Sequence, residues 1–379
     1  MAATITQVET FAINYPVVGH FKFFEGTADR PPGRPALVIK ITADDGTVGW
    51  GQSVPSPRWS YETLETVEST TRLYLAPELI GQDPLDLDGL WRRMNRVIAG
   101  SFSTGQPICK AGVELALFDL AGKLLDQSPA QRWGRHGCDR LTLSWTLNPR
   151  TPAELEQSIA AAHARGYRHF NLKVAPDPAV DLDHCRRLRR LAPDAHVWVD
   201  ANGGYDEPTA GQIAPQLAAL GIAAFEQPLP ANRLSGYARL TRQAALPILM
   251  DEGIVSHVEL EEFIELGLLD GVAVKVARCG GLSESLRIVE VIERNGLLFY
   301  ASGLTDPDLS LAASLALFGA CGLSVPAALN GPQYLATSIL AQPLSVTNDQ
   351  IVVPQGAGLG VSVDEEALRR HLLGGDSRN

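Results

Sequence analysis

Basic residues are in short supply in this chain: 32 Lys and Arg stand against 43 Asp and Glu, a net charge of −11. A chain this acidic lacks the dominant positive field that a nucleic acid or an anionic membrane surface demands, so neither is an expected partner. A small anionic substrate is not excluded, because a bound divalent cation reverses the sign locally. Cysteine is scarce as well. The five thiols are scattered without a CxxC pair or metal-finger spacing, an odd number that fits a reducing cytoplasm better than a disulfide framework. The N-terminal MAATITQVETFAINYP has no basic segment leading into an apolar one, so no secretory leader is expected. Long uncharged runs are missing apart from Leu309–Leu329, which carries three serines, two glycines and Pro326 and is expected to be a buried helix followed by a buried strand. HExxH, GxSxG and Walker sequences are absent, and Gly356, Gly358 and Gly360 lack the long helix that a dinucleotide loop needs.

What is present is a rhythm. Five chemistry-bearing residues each end an apolar, strand-like run: Lys173 in FNLKV, Asp200 in VWVD, Glu226 in AAFE, Asp251 in PILMD and Lys275 in GVAVKV. The gaps between them are 27, 26, 25 and 24 residues. About 25 residues is the length of one strand-plus-helix unit in a (β/α)₈ barrel of about 250 residues. That spacing predicts five side chains at the C-terminal mouths of consecutive strands, facing one cavity. The 379 residues suffice for such a barrel and a second domain.

Residues 1–135 do not follow the rhythm and are expected to form an α+β module: strands over 4–15 and 36–42, a DDG turn at 44–46, and helical spacing over 59–80, 85–99 and 111–125. Residues 136–340 are expected to form a modified TIM barrel. LTLSWTL is its first strand, Thr151–Glu154 a capping box, and the eighth strand falls within 324–330. Residues 341–379, with a Gly-rich turn and a short polar helix, are expected to fold back on the N-terminal module.

Three carboxylates aimed at one point repel one another unless a hard cation lies between them. Asp200, Glu226 and Asp251 offer only oxygen, which suits Mg²⁺ or Mn²⁺ rather than Zn²⁺. Such an ion can hold a substrate carboxylate and offset the charge that develops when its α-proton leaves. Lys173 and Lys275, opposite each other across the barrel, are candidate bases whose pKa a dication and burial would depress.

The order of a base lysine, D-A-N, E-Q-P, D-E and a lysine before Gly-Gly resembles the enolase superfamily, and within it the muconate lactonizing enzyme subgroup. GTVGWGQ (46–52) resembles that family's capping domain, and PQGAGLGVSVDEEAL its C-terminal tail. The resemblance implies a (β/α)₇β-like TIM barrel, an N-terminal capping domain and a homo-oligomer. It implies Asp200, Glu226 and Asp251 as metal ligands and Lys173 and Lys275 as the acid/base pair. Asn202 is then expected beside the metal or Lys173, with Glu252 behind the ligands. Trp59 and Tyr61 are expected in a capping loop over the substrate, with specificity also set by the loop at His20–Gly26 and by Ser302, Asp306 and Asn330. The subgroup's usual Lys-x-Lys reads Asn171–Leu172–Lys173 here, so Asn171 offers hydrogen bonds where a second cation is usual.

The opposed lysines point first to a Mg²⁺-dependent racemase or epimerase acting on a small carboxylate such as an amino-acid derivative, through a metal-stabilised enediolate. Asn171 keeps a dehydratase of a hydroxy acid or hydroxylated amino acid, such as cis-3-hydroxyproline, beside it. A muconate-type cycloisomerase is a further variant. A binding protein of impaired chemistry is the reading of another class, supported only by Asn171.

Overall fold

Three antiparallel strands open the chain: β1 (Ile5–Tyr15), β2 (Arg34–Ala43) and β3 (Val48–Ser53), in the order β1-β2-β3. The DDG segment turns β2 into β3, with Gly46 taking the left-handed φ of 86° that this tight turn requires. The helix Pro107–Leu125 lies across β3 and is buried on nearly every face, as its mostly apolar composition favours, and its buried Lys110, Glu114 and Asp119 are each hydrogen-bonded. Its close approach depends on two glycines: a Cβ on Gly51 would stand 2.1 Å from the Gly112 carbonyl, and one on Gly49 2.2 Å from that of Ala116. The helical stretch expected from residue 59 starts later, at Leu64–Thr70, because the Thr63 hydroxyl accepts the Thr66 N–H and caps it there. Residues 59–62 are left as a turn in the loop leading from β3. The computed structural model describes residues 3–24, 26 and 31–373. Of the loop expected at His20–Gly26, Glu25 therefore lies outside the described residues.

The expected first barrel strand is two strands, β4 (Arg140–Thr142) and β5 (Trp145–Leu147). β5 begins a parallel sheet continued by β6 (Phe170–Lys173), β7 (Val197–Asp200), β8 (Phe225–Glu226), β9 (Ile248–Met250), β10 (Gly271–Val274) and β11 (Leu298–Ala301), paired in that sequence. Ala328 bridges Ser302 and Ala327 bridges Leu143, both in parallel sense, so a two-residue eighth strand closes the ring within the segment predicted for it. β4 leaves the barrel to pair with β13 (Gln350–Val352), itself paired with β12 (Val346–Thr347). The break falls where the Leu143 N–H turns to the Asp349 carbonyl (2.7 Å) and that of Ser144 to Ala327 (2.9 Å).

The fold is thus a TIM barrel with an N-terminal capping domain. The capping box at Thr151 is half formed. The Thr151 hydroxyl accepts the Glu154 N–H at 3.2 Å, but the Glu154 carboxylate takes the Arg150 N–H and guanidinium instead. The tail returns to the first sheet, where Leu372 bridges Ile13 and Glu365 pairs with Lys40 at 2.7 Å. The uncharged run from Leu309 supplies a buried helix, Asp308–Ala320; among the described residues no helix is long and apolar enough to cross a membrane.

Candidate active site and metal centre

Side chains on a strand alternate between faces, so residues two apart share one. Inside the barrel, Trp198, Ala224, Leu249, Ala273, Tyr300 and Ala328 form one cluster. Two residues beyond each stand Asp200, Glu226, Asp251, Lys275, Ser302 and Asn330, which therefore form the next layer up, at the mouth. Lys173 ends β6 in register with Asp200, and Asp200 with Glu226. The five rhythmic positions converge.

One oxygen from each of Asp200, Glu226 and Asp251 lies within 4.8 Å of the others, and all three residues are buried. Asp200 is held by Lys173 and by Asn202, whose backbone N–H (2.8 Å) and side-chain amide (3.2 Å) both donate to it. The same Asn202 amide donates to Glu252 at 3.1 Å. Glu226 receives the Trp198 indole N–H at 2.7 Å, while its other oxygen is buried with no partner among the described residues. Asp251 takes both Lys275 and Arg278, and its N–H donates to Gln227 at 2.8 Å.

The electrostatics show carboxylates that repel one another at Glu226 and Glu252 and are offset by lysines at Asp200. Burial, then Asp200 and Asp251, push the Glu226 carboxyl well above its ordinary range. Glu252 is raised to about 7 by burial and the same two aspartates. Asp200 is lowered: burial opposes its charge, but Lys173, Lys22 and Lys275 outweigh it. Lys173 is raised, since the pull of Asp200 and Glu226 overcomes its burial. The carboxylates alone thus act on this lysine in the sense opposite to that expected beside a dication. Three oxygens in reach of one point, one of them unpartnered and its carboxyl resisting ionisation, fit a small hard cation.

A cavity opens beside the trio. It is lined by Phe21, Phe23 and Phe24 from the capping loop, by Trp59, by Lys173, Asn202 and Lys275, and by Thr146, Asn171, Ser302 and Asn330. The Trp59 ring covers the Lys275 ammonium at 4.5 Å. Glu252 borders a neighbouring cleft shared with Lys22. Tyr61 is not brought in: it is exposed, its hydroxyl 3.4 Å from the Thr104 carbonyl, because the turn after Trp59 directs it outward. Asp306 is buried beneath the cavity rather than on its wall, accepting the Leu304 N–H and the Ser314 hydroxyl. Sequence reasoning missed Arg278, Thr146 and Arg34. Only Arg278 left a signal, as a charge three residues past Lys275 in a run otherwise without one.

Residues 154–367 match the family described as enolase C-terminal domain-like, and residues 32–134 match the mandelate racemase/muconate lactonizing enzyme N-terminal domain. The chain is 31% identical to a chloromuconate cycloisomerase of Cupriavidus necator over 341 residues, 88% of this chain and 90% of that one. It is 28% identical to muconate cycloisomerase 1 of Rhodococcus opacus, over 97% of this chain and 98% of the relative. A muconate lactonizing enzyme of Pseudomonas fluorescens, solved with muconolactone, superposes with a TM-score of 0.89 at 27% identity, covering 98% of this chain and all of the other.

Proposed function

The chain belongs to the enolase superfamily, in its muconate lactonizing enzyme subgroup, and from that premise we propose that it is a divalent-metal-dependent cycloisomerase converting an unsaturated dicarboxylate into a lactone. Of the readings drawn from the sequence, this one is favoured over the racemase because the relatives it resembles across nearly their whole length are cycloisomerases. The observation that carries the metal-assisted enediolate chemistry common to both readings is the buried trio of carboxylates with a lysine at its edge, beside a cavity under an apolar lid. Asp200, Glu226 and Asp251 would hold Mg²⁺ or Mn²⁺, which supplies the positive charge that binds one substrate carboxylate and offsets the charge arriving on it.

In the proposed reaction, an oxygen of the remote carboxylate adds to the alkene carbon β to the other carboxyl group. The π pair moves toward that group as an enediolate. One lysine ammonium then delivers a proton to the α-carbon, leaving a lactone. Phe21, Phe23, Phe24 and Trp59 present an apolar lid to the hydrocarbon middle of such a substrate.

Proton NMR in D₂O with Mg²⁺ and cis,cis-muconate or its chlorinated analogues tests this. The expected product is a lactone carrying one deuterium at the α-carbon, and the variants K173A and K275A identify the donor. A second reading rests on one observation: cycloisomerisation needs a single proton donor, and this site has two lysines. If no lactone forms and an N-acylamino acid or dipeptide instead exchanges its α-proton, the enzyme is a racemase or epimerase. Loss of a β-hydroxyl from a hydroxyproline would make it a dehydratase.

A further inference from the structure

Three cations line the cavity, and two of them, Lys173 and Lys275, are each paired with a carboxylate of the trio. The third is Arg34, which opens β2 in the capping domain and is buried. Its guanidinium donates to four backbone carbonyls: Leu304 (2.8 Å) from Nε, Pro35 (3.3 Å) and Pro55 (2.6 Å) from Nη1, and Val54 (2.7 Å) from Nη2. A guanidinium carries five N–H donors, so one, on Nη2, has no partner among the described residues. Carbonyls satisfy N–H groups but bring no net charge, so the cation itself is uncompensated. The carboxylate whose charge acts on it is Asp306, and no ion pair joins the two. Asp306 instead engages the Leu304 N–H and the Ser314 hydroxyl, both at 3.1 Å. Burial lowers the Arg34 pKa to about 10, against the pull of Asp306, which leaves it protonated at neutral pH.

In a closed ring of eight strands, each strand faces the one four places on. β11 thus stands across from β7, the closing strand from β8, and β5 from β9. Opposite the three carboxylates are therefore the uncharged Ser302, Asn330 and Thr146. Leu304, which accepts the Arg34 Nε–H, lies two residues beyond Ser302, so Arg34 brings its charge to the side of the cavity across from the metal centre. Thr305, the next residue, is held at a φ of 55°, a left-handed backbone that persists in a threonine only where its surroundings fix it. Lys22 does not serve this side, because it borders the neighbouring cleft with Glu252.

We propose that Arg34 receives the second carboxylate of the substrate, the one not held by the metal, through its uncompensated charge and the unpartnered N–H on Nη2. This inference rests on the cycloisomerase reading, which makes the substrate a dicarboxylate. Desolvating a second carboxylate inside a chain of net charge −11 is unfavourable unless a cation meets it. Four carbonyls already fix the guanidinium, so little side-chain freedom is lost when the ligand arrives, and the attacking oxygen is oriented toward the alkene.

Calorimetry with Mg²⁺ present tests this by comparing adipate with its monoamide, an unreactive pair in which one carboxylate becomes a neutral amide of the same shape. The wild type should prefer adipate by on the order of tenfold or more, and R34Q should erase that preference. A merely structural arginine gives a different result: loosening the cavity wall weakens both ligands alike and leaves their ratio intact. No preference in the wild type, or an undiminished one in R34Q, overturns the proposal. Should R34Q fold poorly, a crystal structure of the wild type with Mg²⁺ and adipate decides. A second carboxylate on Arg34 Nη2 supports the proposal, and one placed elsewhere overturns it. If the wild type forms no lactone from muconate but R34Q loses its adipate preference, the cycloisomerase reading falls and the Arg34 contact stands. If the wild type forms lactone while R34Q keeps that preference, the cycloisomerase reading stands and the Arg34 contact falls.

Discussion

The ammonium of Lys275 lies 4.5 Å from the centre of the Trp59 ring, joining a capping loop to the end of β10. An indole face attracts a cation without accepting its protons, so Lys275 keeps its hydrogen bond to Asp251 while Trp59 fixes its position. Cation–π contacts contribute about 0.5–2 kcal/mol. W59L should therefore lower kcat/KM by roughly twofold to thirtyfold with little change in melting temperature, and W59F should retain most of the activity. Steady-state kinetics of the three proteins would decide, and equal kcat/KM in W59L would remove Trp59 from the site.

Glu226 supplies the clearest metal test. Its carboxyl is pushed up by burial and by Asp200 and Asp251, so its ionised form destabilises the metal-free protein at neutral pH. E226Q relieves that repulsion and should melt no lower than the wild type without metal. Added Mg²⁺ should raise the wild-type melting point, by an amount equivalent to about 2.7 kcal/mol at a hundredfold excess over its Kd, and EDTA should reverse the shift. The rise should be lost in E226Q. Thermal melts across a Mg²⁺ titration read both effects, and an equal rise in the two proteins would mean that the ion binds elsewhere.

Much of this arrangement was legible because a barrel turns sequence spacing into position: a residue at the end of each 24- to 27-residue unit cannot avoid the mouth. The same logic predicted the short closing strand near 324–330. It failed where position depends on a turn or on a partner distant in sequence. Tyr61 lies two residues from Trp59 yet points to solvent, because non-helical residues carry no fixed periodicity. LTLSWTL reads as one strand, and only the Asp349 carbonyl, far along the chain, reveals the break. Arg278 belongs to the loop after β10, where no period announces an ion pair.

Glu62 gives the stability a pH dependence of definite sign. Its carboxylate accepts the N–H groups of Ile108 (2.8 Å) and Cys109 (2.7 Å), fastening the Trp59 loop to the start of the long helix. Burial raises it from the ordinary 4.5 to about 7, against the opposing effect of those two bonds. The folded state thus binds this proton more tightly than the unfolded one. Its contribution is complete below about 4.5 and is lost as pH rises toward about 7. The gap between wild-type and E62Q melting temperatures should accordingly shift in favour of E62Q across that window. A constant gap would show that Glu62 is ionised throughout.

Arg278 is the group whose removal should separate stability from metal affinity. It is buried, donates one arm to Asp251 and sends the other to the Ala273 carbonyl at 3.1 Å. R278M leaves the buried Asp251 with Lys275 as its one remaining cation. Losing one partner of a buried pair costs about 3–5 kcal/mol, and the lower end applies because Lys275 stays. Urea unfolding without metal should show that loss at an unchanged m-value. The same substitution removes a positive charge that competes with a dication for Asp251, so Mg²⁺ should bind R278M more tightly. A structural arginine unconnected to the metal centre would give the first change without the second, and calorimetric Mg²⁺ titration of the two proteins tells these apart.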